Sequence, residues 1–261
     1  MPLCSRASKE THELGTASSS MIPAQKWPLF DAWFCRHALK RLARSFHALN
    51  VHGLAETKSI AQDAPVLVVS NHTSWHDPLV VLALGRALDV DAYAMMDAKN
   101  LEKLPFFRRV GAFGVHLDDA RDGARALRYG AGLLDRPRRV VWIFPQGKTC
   151  PVTEPLVFRG GSARIAKLAK GCRIVPMAVR YDHADDELPS AWVSFGAPVE
   201  STERDAGVVT ALHKTAVEQE LLRIEGAVRA RSRGDAFSPL FQAKAPWFGT
   251  MAERALGWLA G

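Results

Sequence analysis

The sequence predicts a single α/β domain with a mostly parallel or mixed central sheet covered by helices, and with amphipathic helices at its N- and C-terminal ends. Short β-branched runs such as residues 65–70 (PVLVVS) and 139–144 (RVVWIF) alternate with segments of helical periodicity, which is the pattern of strands buried between helices. The chain has 261 residues, 48% of them hydrophobic, and no internal repeat. That length and composition suffice for one sizeable core.

Four segments are predicted along the chain. Residues 1–25 are polar, have no hydrophobic signal region and are predicted to be a disordered leader. Residues 26–52 are predicted to form an amphipathic helix, residues 53–235 the main domain, and residues 236–261 an aromatic-rich C-terminal segment. No window contains the roughly 18–20 consecutive apolar residues that a transmembrane helix needs, so we expect no span.

The N-terminal helix allows two interpretations. Its apolar side chains recur three or four positions apart with basic side chains beside them: Trp27, Phe30, Phe34, Ala38, Leu42, Phe46 and Leu49, flanked by Arg36, Lys40 and Arg44. This pattern is typical of a helix packed on its own domain, and also of an interfacial helix with a basic flank toward anionic headgroups. The C-terminal segment is likewise either a packed helix or a second membrane anchor, since aromatic residues favour membrane interfaces.

The elements of the main domain follow in order. Strand 65–70 runs directly into NHTSWHDP, and a helix begins there with Asp77 as its N-cap and Pro78 in its first turn. Further strands are predicted at residues 91–96, 112–117, 139–144, 173–180 and 191–195. Further helices are predicted at residues 101–110, 122–134, 162–170 and 208–231. Ligands of such sheets bind beyond the carboxyl ends of strands, so the polar segments after strands 65–70 and 139–144 predict one shared site.

Charge and cysteine content narrow the function classes. The formal net charge of +7 favours an anionic partner such as a phosphate ester, a nucleic acid or a lipid surface. Four widely spaced cysteines form no CxxC pair. Neither a disulfide framework nor a zinc ribbon is therefore indicated, and a reducing cytoplasmic setting fits best.

NHTSWHDP, residues 71–78, predicts a catalytic base at a strand end. A neutral imidazole such as that of His72 can take a proton from a hydroxyl near neutral pH, because its unperturbed pKa is about 6.5. Asp77, five residues on across a turn, can reach the other ring nitrogen and fix the tautomer. The substrate hydroxyl would then be the nucleophile, and no separate protein nucleophile is required.

Three alternatives stay open for these eight residues. His72 and His76 have the four-residue spacing of zinc ligands on a helix, although the helix is predicted to begin after both. Ser70 or Ser74 could be a nucleophile, although neither stands in a GxSxG context. Finally, Asp77 could only cap the helix while His72 only bonds backbone.

The second polar segment, FPQGKTCP, predicts an anion-binding loop. Gly147 and the neighbouring backbone N–H groups lie at a strand end beside Lys148, which suits an oxyanion or a phosphate. FRGGSAR, residues 158–164, adds Arg159 and the N-terminus of a helix. The segment is not a P-loop, because GxxxxGK[ST] does not occur. Each stretch alone could equally be a glycine-rich turn.

Taken together, these segments resemble the glycerolipid acyltransferase family, typified by 1-acylglycerol-3-phosphate acyltransferase. Four blocks stand in the order of that family, from about residue 60 to residue 200. They are NHxxxxD at Asn71, His72 and Asp77; FPQGKTC at residues 144–150, where the family has FPEGTRS; an FKxG-type element at Phe158, Arg159 and Gly161; and a VP block at Val175, Pro176 and Met177.

The resemblance implies an acyltransferase domain at residues 53–235, with His72 as the general base and Asp77 holding it. The donor would be an acyl thioester of coenzyme A or acyl carrier protein as co-substrate, with no other cofactor and no metal. The acceptor would be a lipid such as a lysophospholipid or lysophosphatidate, and the protein would lie peripherally on the cytoplasmic face of a membrane. The motifs carry over these substrate-binding positions: Asn71, Phe144, Pro145, Gln146, Gly147, Lys148, Arg159, Gly161 and Pro176.

Three departures from the family pattern leave the acceptor open. Leu117 stands where the second block usually has an arginine, while Gln146 and Thr149 replace the glutamate and the arginine of the third block. Loss of two arginines weakens the bidentate grip on a phosphate, for which Lys148 is only a partial substitute. Some bacterial relatives with an FPQG block look like acyltransferases for carotenoid glycosides. The alternative acceptor is therefore a neutral glycolipid or a carotenoid glycoside.

Two further function classes compete with acyl transfer. A non-catalytic protein could use its basic surface to bind anionic lipid or nucleic acid. No RRM, helix-turn-helix or KH signature accompanies the arginines, so we expect no nucleic-acid partner. A hydrolase could use the same His72 with water as the nucleophile.

Overall fold

The computed structural model describes residues 21–183, 187–200 and 205–243 of the chain. Within these residues eight strands form one mixed sheet. The strands are β1 (Ala48–His52), β2 (Val66–Ser70), β3 (Asp91–Asp97), β4 (Ala112–Val115), β5 (Arg139–Ile143), β6 (Arg173–Asp182), β7 (Ser190–Phe195) and β8 (Ser238–Gln242). The predicted α/β class, with a single mixed sheet surrounded by helices, is confirmed.

The helices of the described residues cover both faces of this sheet. They are α1 (Pro28–Ser45), α2 (Leu54–Asp63), α3 (Asp77–Leu88), α4 (Ala98–Lys103), a 3-10 helix (Pro105–Val110), α5 (Ala120–Leu133), α6 (Gly161–Leu168) and α7 (Ala206–Arg229). In this part of the chain, no helix combines the length and the apolar character needed to cross a bilayer.

The sheet order brings the ends of two central strands together. The order is β4-β3-β5-β2-β6-β7-β1-β8, and the first five strands run parallel. β7 is antiparallel to β6, and β8 is antiparallel to β1. Val69 of β2 lies opposite Ile143 of β5, so these strands end side by side. The polar segments that follow them therefore begin at the same edge of the sheet, as predicted.

The core consists of two layers separated by the sheet, as the alternation of side chains along a strand requires. Val66 and Val68 of β2 pack into the layer formed with α1, α2 and α3. Leu67 and Val69 pack into the opposite layer, which contains residues of α5, α6 and α7. All five residues of β2 are buried. The strand that precedes the first polar segment is thus fixed from both faces.

The N-terminal helix is shorter than predicted. α1 ends at Ser45, and Ala48–His52 form β1 between β7 and β8, so the prediction of a helix over residues 26–52 is wrong in its last part. Phe46 and Leu49 continue the helical spacing, but the backbone of Phe46 is already extended. Both side chains are buried in the core beside the sheet. Their apolar spacing therefore reflects packing against the core and not a continuation of α1.

The described residues cover only part of the two predicted terminal segments. Ile22, within the predicted leader, exchanges backbone hydrogen bonds of 2.7 and 3.3 Å with Gly114 of β4, so the leader prediction is wrong at that residue. Ser238–Gln242 form β8 instead of a helix. Residues 1–20 and 244–261 lie outside the described residues, and so does most of the predicted C-terminal segment.

Candidate active site

His72 and Asp77 meet at the carboxyl end of β2. His72 Nδ1 lies 2.6 Å from Asp77 Oδ2, and the Asp77 side chain is 1% exposed. Because a carboxylate only accepts hydrogen bonds, Nδ1 carries the proton of the neutral ring and Nε2 keeps its lone pair. The structure thus brings the two predicted side chains together and leaves one ring nitrogen able to accept a proton.

Asp77 is held by three further donors. Oδ2 accepts from the backbone N–H groups of Thr73 (2.8 Å) and Ser74 (3.1 Å), and Oδ1 accepts from the Tyr181 hydroxyl (2.6 Å). Burial, followed by the nearby Asp77 carboxylate, raises the pKa of Tyr181 well above its usual value, so this hydroxyl remains a donor. Asp77 is the first residue of α3 and turns its carboxylate back to the loop. The prediction that it caps the helix is therefore wrong.

Ser70, Ser74 and His76 have hydrogen-bond partners other than His72. His76 Nδ1 lies 3.1 Å from Ser74 Oγ, and burial lowers the pKa of His76. Ser70 Oγ donates to the next backbone carbonyl at 3.0 Å. Neither serine is bonded to His72, which removes the support for a serine nucleophile. Among the described residues, no group of three or more His, Cys, Asp or Glu side chains is placed to hold a metal ion.

The loop after β5 holds the backbone of His72 from both sides. Gln146 Oε1 accepts a hydrogen bond from His72 N (2.7 Å), and His72 O accepts one from Cys150 N (2.9 Å). Gly147 makes the intervening turn at a φ of 71°, a conformation that favours glycine. Gln146 is buried and turned toward His72. Its side chain supports the backbone of His72, and its contact with substrate stays a prediction.

The side chain of Thr149 contacts the second ring nitrogen of His72, Nε2. Its Oγ1 lies 3.4 Å from Nε2, and both Thr149 and the preceding Lys148 are exposed. The sequence singled out Thr149 only as a departure from the family pattern, although its place after Gly147 at a strand end was a usable signal. Tyr181 was missed altogether, because no local spacing connects it to a residue 104 positions earlier.

A mostly apolar cavity of about 290 Å³ opens beside His72. Its lining combines His72, Lys148 and Thr149 with apolar side chains from α3, β3, β4, β5 and the 3-10 helix. Among these apolar side chains are Leu82, Met95, Phe107, Val110, Leu117 and Phe144. His72 therefore lies next to a space suited to an apolar group.

A second cavity of about 310 Å³ lies next to the first and has a basic side. It is lined by apolar residues of α5 such as Leu127, and by Arg159 and Arg164 near the start of α6. The two cavities share wall residues: Met95, Val115, Leu117, Ile143, Phe144 and Gly147. Arg159 and Arg164 give this second space a positive side, which suits an anionic group.

The predicted substrate-binding residues divide into three groups in the structure. Phe144, Gly147 and Lys148 line the first cavity, and Phe144, Pro145, Gly147, Arg159 and Gly161 line the second. Asn71, Gln146 and Pro176 are buried and line neither.

Asn71 and Pro176 have structural roles in this arrangement. The amide of Asn71 donates to Val179 O (2.9 Å) and accepts from Val179 N (2.8 Å), which ties the end of β2 to β6. Pro176 lies within β6 opposite Val69. Neither side chain lines either cavity, and their contact with substrate stays a prediction.

Comparison with known proteins agrees with this arrangement. The model of a protein family described as Acyltransferase matches residues 48–180, about half of the chain. This range contains the loop after β2, the loop after β5, and the two arginines of the second cavity, Arg159 and Arg164. No curated protein matches the chain. The chain belongs to the acyltransferase family, and the predicted relationship to glycerolipid acyltransferases fits that membership.

Proposed function

We propose that this member of the acyltransferase family transfers a fatty acyl group from an acyl thioester to the hydroxyl of a lipid acceptor. The donor is acyl-coenzyme A or an acylated carrier protein, and the acceptor is a lysophospholipid or lysophosphatidate. One observation carries the proposal. His72 lines an apolar cavity, and its Nδ1 is hydrogen-bonded to the buried Asp77 carboxylate, which accepts four hydrogen bonds in all. Its Nε2 is left to accept a proton from a substrate hydroxyl.

The proposed reaction uses His72 as general base and then as general acid. Nε2 takes the proton of the acceptor hydroxyl while the oxygen attacks the thioester carbonyl. The carbon–sulfur bond breaks, and the departing thiolate receives the proton from the imidazolium. Asp77 stabilises that imidazolium and keeps the ring in the productive tautomer throughout. The acceptor oxygen is the nucleophile, so no covalent intermediate on the protein is needed.

The two cavities suggest where the substrates bind. The first is mostly apolar and contains His72 in its wall, which suits the acyl chain of the donor. The second has apolar walls and the cations Arg159 and Arg164, which suit a lipid acceptor with an anionic headgroup. Since Phe144 and Gly147 belong to both walls, a hydroxyl in one space can approach a thioester in the other.

A neutral glycolipid or carotenoid glycoside is the second candidate acceptor, and Leu117 favours it. This side chain lines both cavities at the position where the family usually has an arginine. An apolar group there offers no hydrogen bond to a phosphate, and Thr149 supplies only a hydroxyl. The two acceptors therefore differ in how much they should depend on Arg159.

The proposed location is the cytoplasmic face of a membrane, with the protein bound peripherally. A lipid acceptor resides in a bilayer, while the thioester donor arrives from the aqueous side. The cysteines within the described residues, Cys35, Cys150 and Cys172, are all free thiols, which is consistent with a reducing compartment.

Acyl transfer by the purified protein tests the proposal. Thiol release from an acyl thioester is measured with and without each of a panel of lysophospholipids, lysophosphatidate and glycolipids, and the acylated product is identified by mass spectrometry. We expect thiol release to require the lipid. Release at the same rate in water alone would identify a hydrolase, and no product from any acceptor would overturn the proposal.

Replacing His72 with alanine should lower the rate of acyl transfer by about 10²–10⁴-fold, the usual contribution of a general base. His76→Ala is the matched control, because His76 is a partly buried histidine of the same loop whose Nδ1 contacts the Ser74 hydroxyl instead of a carboxylate. We expect His76→Ala to keep most of the activity, with circular dichroism showing both variants folded. Retention of activity by His72→Ala would refute the base assignment.

A further inference from the structure

The exposed side of α1 and of the segment before it carries large apolar side chains. Leu29 is 76% exposed and Trp33 is 56% exposed, and Trp27 just before the helix is also exposed. The opposite side of α1 is buried against the domain through Cys35, Ala38 and Leu42. The apolar side chains on the outer side thus leave about half or more of their surface exposed. Single exposed apolar residues are common, but a cluster of them marks an interaction surface.

Cations follow these apolar residues along the same helix. Arg36, Lys40, Arg41 and Arg44 are all exposed. The only acidic residue of α1, Asp31, is partly buried and lies 4.0 Å from Lys26 on the inner side. The outer side of the helix is therefore basic without compensating acidic groups of its own. Aromatic and basic side chains together are the composition of segments that lie on anionic lipid surfaces.

The catalytic loop contributes one more exposed aromatic ring to this side. Trp75, three residues after His72, is 61% exposed. Its ring lies 3.9 Å from that of His76, and the guanidinium of Arg41 lies 6.0 Å from the Trp75 ring. Arg41 therefore connects the outer side of α1 to the loop that holds the base.

The first cavity is also adjacent to α1. Phe107, which lines that cavity, contacts Phe34 of α1 edge-on at a ring distance of 5.9 Å. Leu104, in the turn before the 3-10 helix, is exposed as well. The helix that carries the basic and aromatic surface is thus separated from the apolar cavity by a pair of phenylalanine rings.

We propose that Trp27, Leu29, Trp33 and Trp75, together with Arg36, Lys40, Arg41 and Arg44, form one docking surface for an anionic lipid bilayer. This bilayer-docking surface lets the aromatic rings enter the interface while the cations contact lipid headgroups. Because Trp75 belongs to the catalytic loop, docking sets His72 and the first cavity at the lipid surface. The inference rests on the proposed function and names the surface through which the enzyme reaches its lipid acceptor.

A nucleic acid fits this surface less well than a bilayer. Its phosphates would match the four cations, and its bases could stack on the tryptophans. Leu29, however, is the most exposed of the large apolar side chains in the described residues, and a polyanion offers it no apolar environment. A bilayer accommodates Leu29, the tryptophans and the cations at the same time.

Vesicle binding by the full-length protein tests the surface. Flotation is measured with vesicles of phosphatidylcholine alone and with vesicles containing phosphatidylglycerol, at low and high salt. We expect binding to the anionic vesicles that weakens with salt. The triple variant Arg36→Gln/Lys40→Gln/Arg41→Gln and the variants Trp33→Ser and Trp75→Ser should each lose about ten-fold or more in partitioning. Leu222→Ser, which changes a 65% exposed leucine on α7, is the matched control and should bind like the wild type.

Activity measurements separate this inference from the proposed function. With a short-chain acceptor and donor in solution, Trp33→Ser should act within about two-fold of the wild type, whereas its acylation of a vesicle-borne acceptor should fall with the partitioning. If Trp75→Ser partitions onto vesicles like the wild type, the catalytic loop does not belong to the bilayer-docking surface and that part of the proposal is wrong. Preferential binding to an oligonucleotide, unaffected by Leu29→Ser, would overturn the bilayer as the partner. Vesicle binding without acyl transfer to any acceptor would retain the surface and refute the proposed function.

Discussion

The loop after β2 and the loop after β5 differ in how their polar groups are used. In the first, Asn71, His72 and Asp77 are bonded to other parts of the protein, and Nε2 of His72 makes only a long contact with a hydroxyl. In the second, Gln146 faces inward to His72, while Lys148 and Thr149 are exposed at the cavity. The first loop is thus a preorganised base, and only part of the second loop can recognise a substrate.

Asp77→Asn should break this preorganisation most severely. The carboxylate of Asp77 accepts four hydrogen bonds. The amide that replaces it has an NH₂ group in place of one oxygen, so at least one neighbouring N–H or O–H donor loses its acceptor. An NH₂ group facing His72 Nδ1 would favour the wrong ring tautomer. We expect kcat to fall by about 10²-fold or more, while KM for the acceptor changes little. Steady-state kinetics measure both values. A variant with near-normal kcat would show that the bonded loop does not set the rate.

Arg159→Gln should affect binding of the acceptor and leave the base intact. A hydrogen bond to a charged group contributes about 1.5–3 kcal/mol, so loss of this guanidinium should raise KM for lysophosphatidate by about ten-fold or more at unchanged kcat. Arg173→Gln, a change at an exposed arginine paired with Glu200, is the control.

The same variant decides between the two candidate acceptors. A neutral glycolipid makes no ion pair, so its KM should not respond to Arg159→Gln. If lysophosphatidate and the glycolipid respond equally, the basic side of the second cavity is not an acceptor site. If only kcat falls, Arg159 acts on the catalytic loop through Gly147, whose turn it contacts.

The fold could be predicted from the sequence wherever an element is buried on both sides or has a regular period. β2 and β5 could be predicted because short β-branched runs between polar segments are typical of buried strands. β1 could not, because Phe46 and Leu49 keep a helical spacing with the preceding helix, and the backbone pairing that makes Ala48–His52 a strand comes from β7 and β8. Partners more than a hundred residues away override local periodicity.

The site was predictable to the extent that it is local. His72 and Asp77 lie five residues apart across one turn, so their contact follows from the chain itself. Tyr181 bonds Asp77 only because β6 pairs with β2 and carries the chain back to this edge. Gln146 was expected at the substrate, since a residue type does not reveal the direction of its side chain. The register of β2 and β5 turns it toward the backbone of His72.

Gln146 joins the two loops, and its substitution should have an intermediate effect. Gln146→Ala leaves the buried N–H of His72 without its acceptor, which typically costs about 1–3 kcal/mol, so we expect roughly ten-fold slower transfer. Gln146→Glu keeps an acceptor at this position and should retain more activity. Its negative charge near the ring favours the imidazolium, the form that cannot accept a proton.

The pH profile distinguishes support of the base from contact with substrate. Only the neutral ring accepts a proton, so a charge that favours the imidazolium should make activity fall at a higher pH. The acid limb of the kcat/KM profile of Gln146→Glu should therefore move to higher pH than that of the wild type. An unmoved acid limb together with a raised KM for the acceptor would return Gln146 to the substrate-binding role.

Thr149 gives the smallest expected effect and the sharpest test of the difference between the loops. Its contact with Nε2 is long at 3.4 Å, and a neutral hydrogen bond contributes about 0.5–1 kcal/mol, equivalent to roughly two- to five-fold in rate. Thr149→Val should lower kcat by that factor and Thr149→Ser should not, because serine keeps the hydroxyl. A loss beyond about a hundred-fold in Thr149→Val alone would place essential chemistry in the second loop, and the assignment of the acceptor oxygen as the only nucleophile would then be wrong.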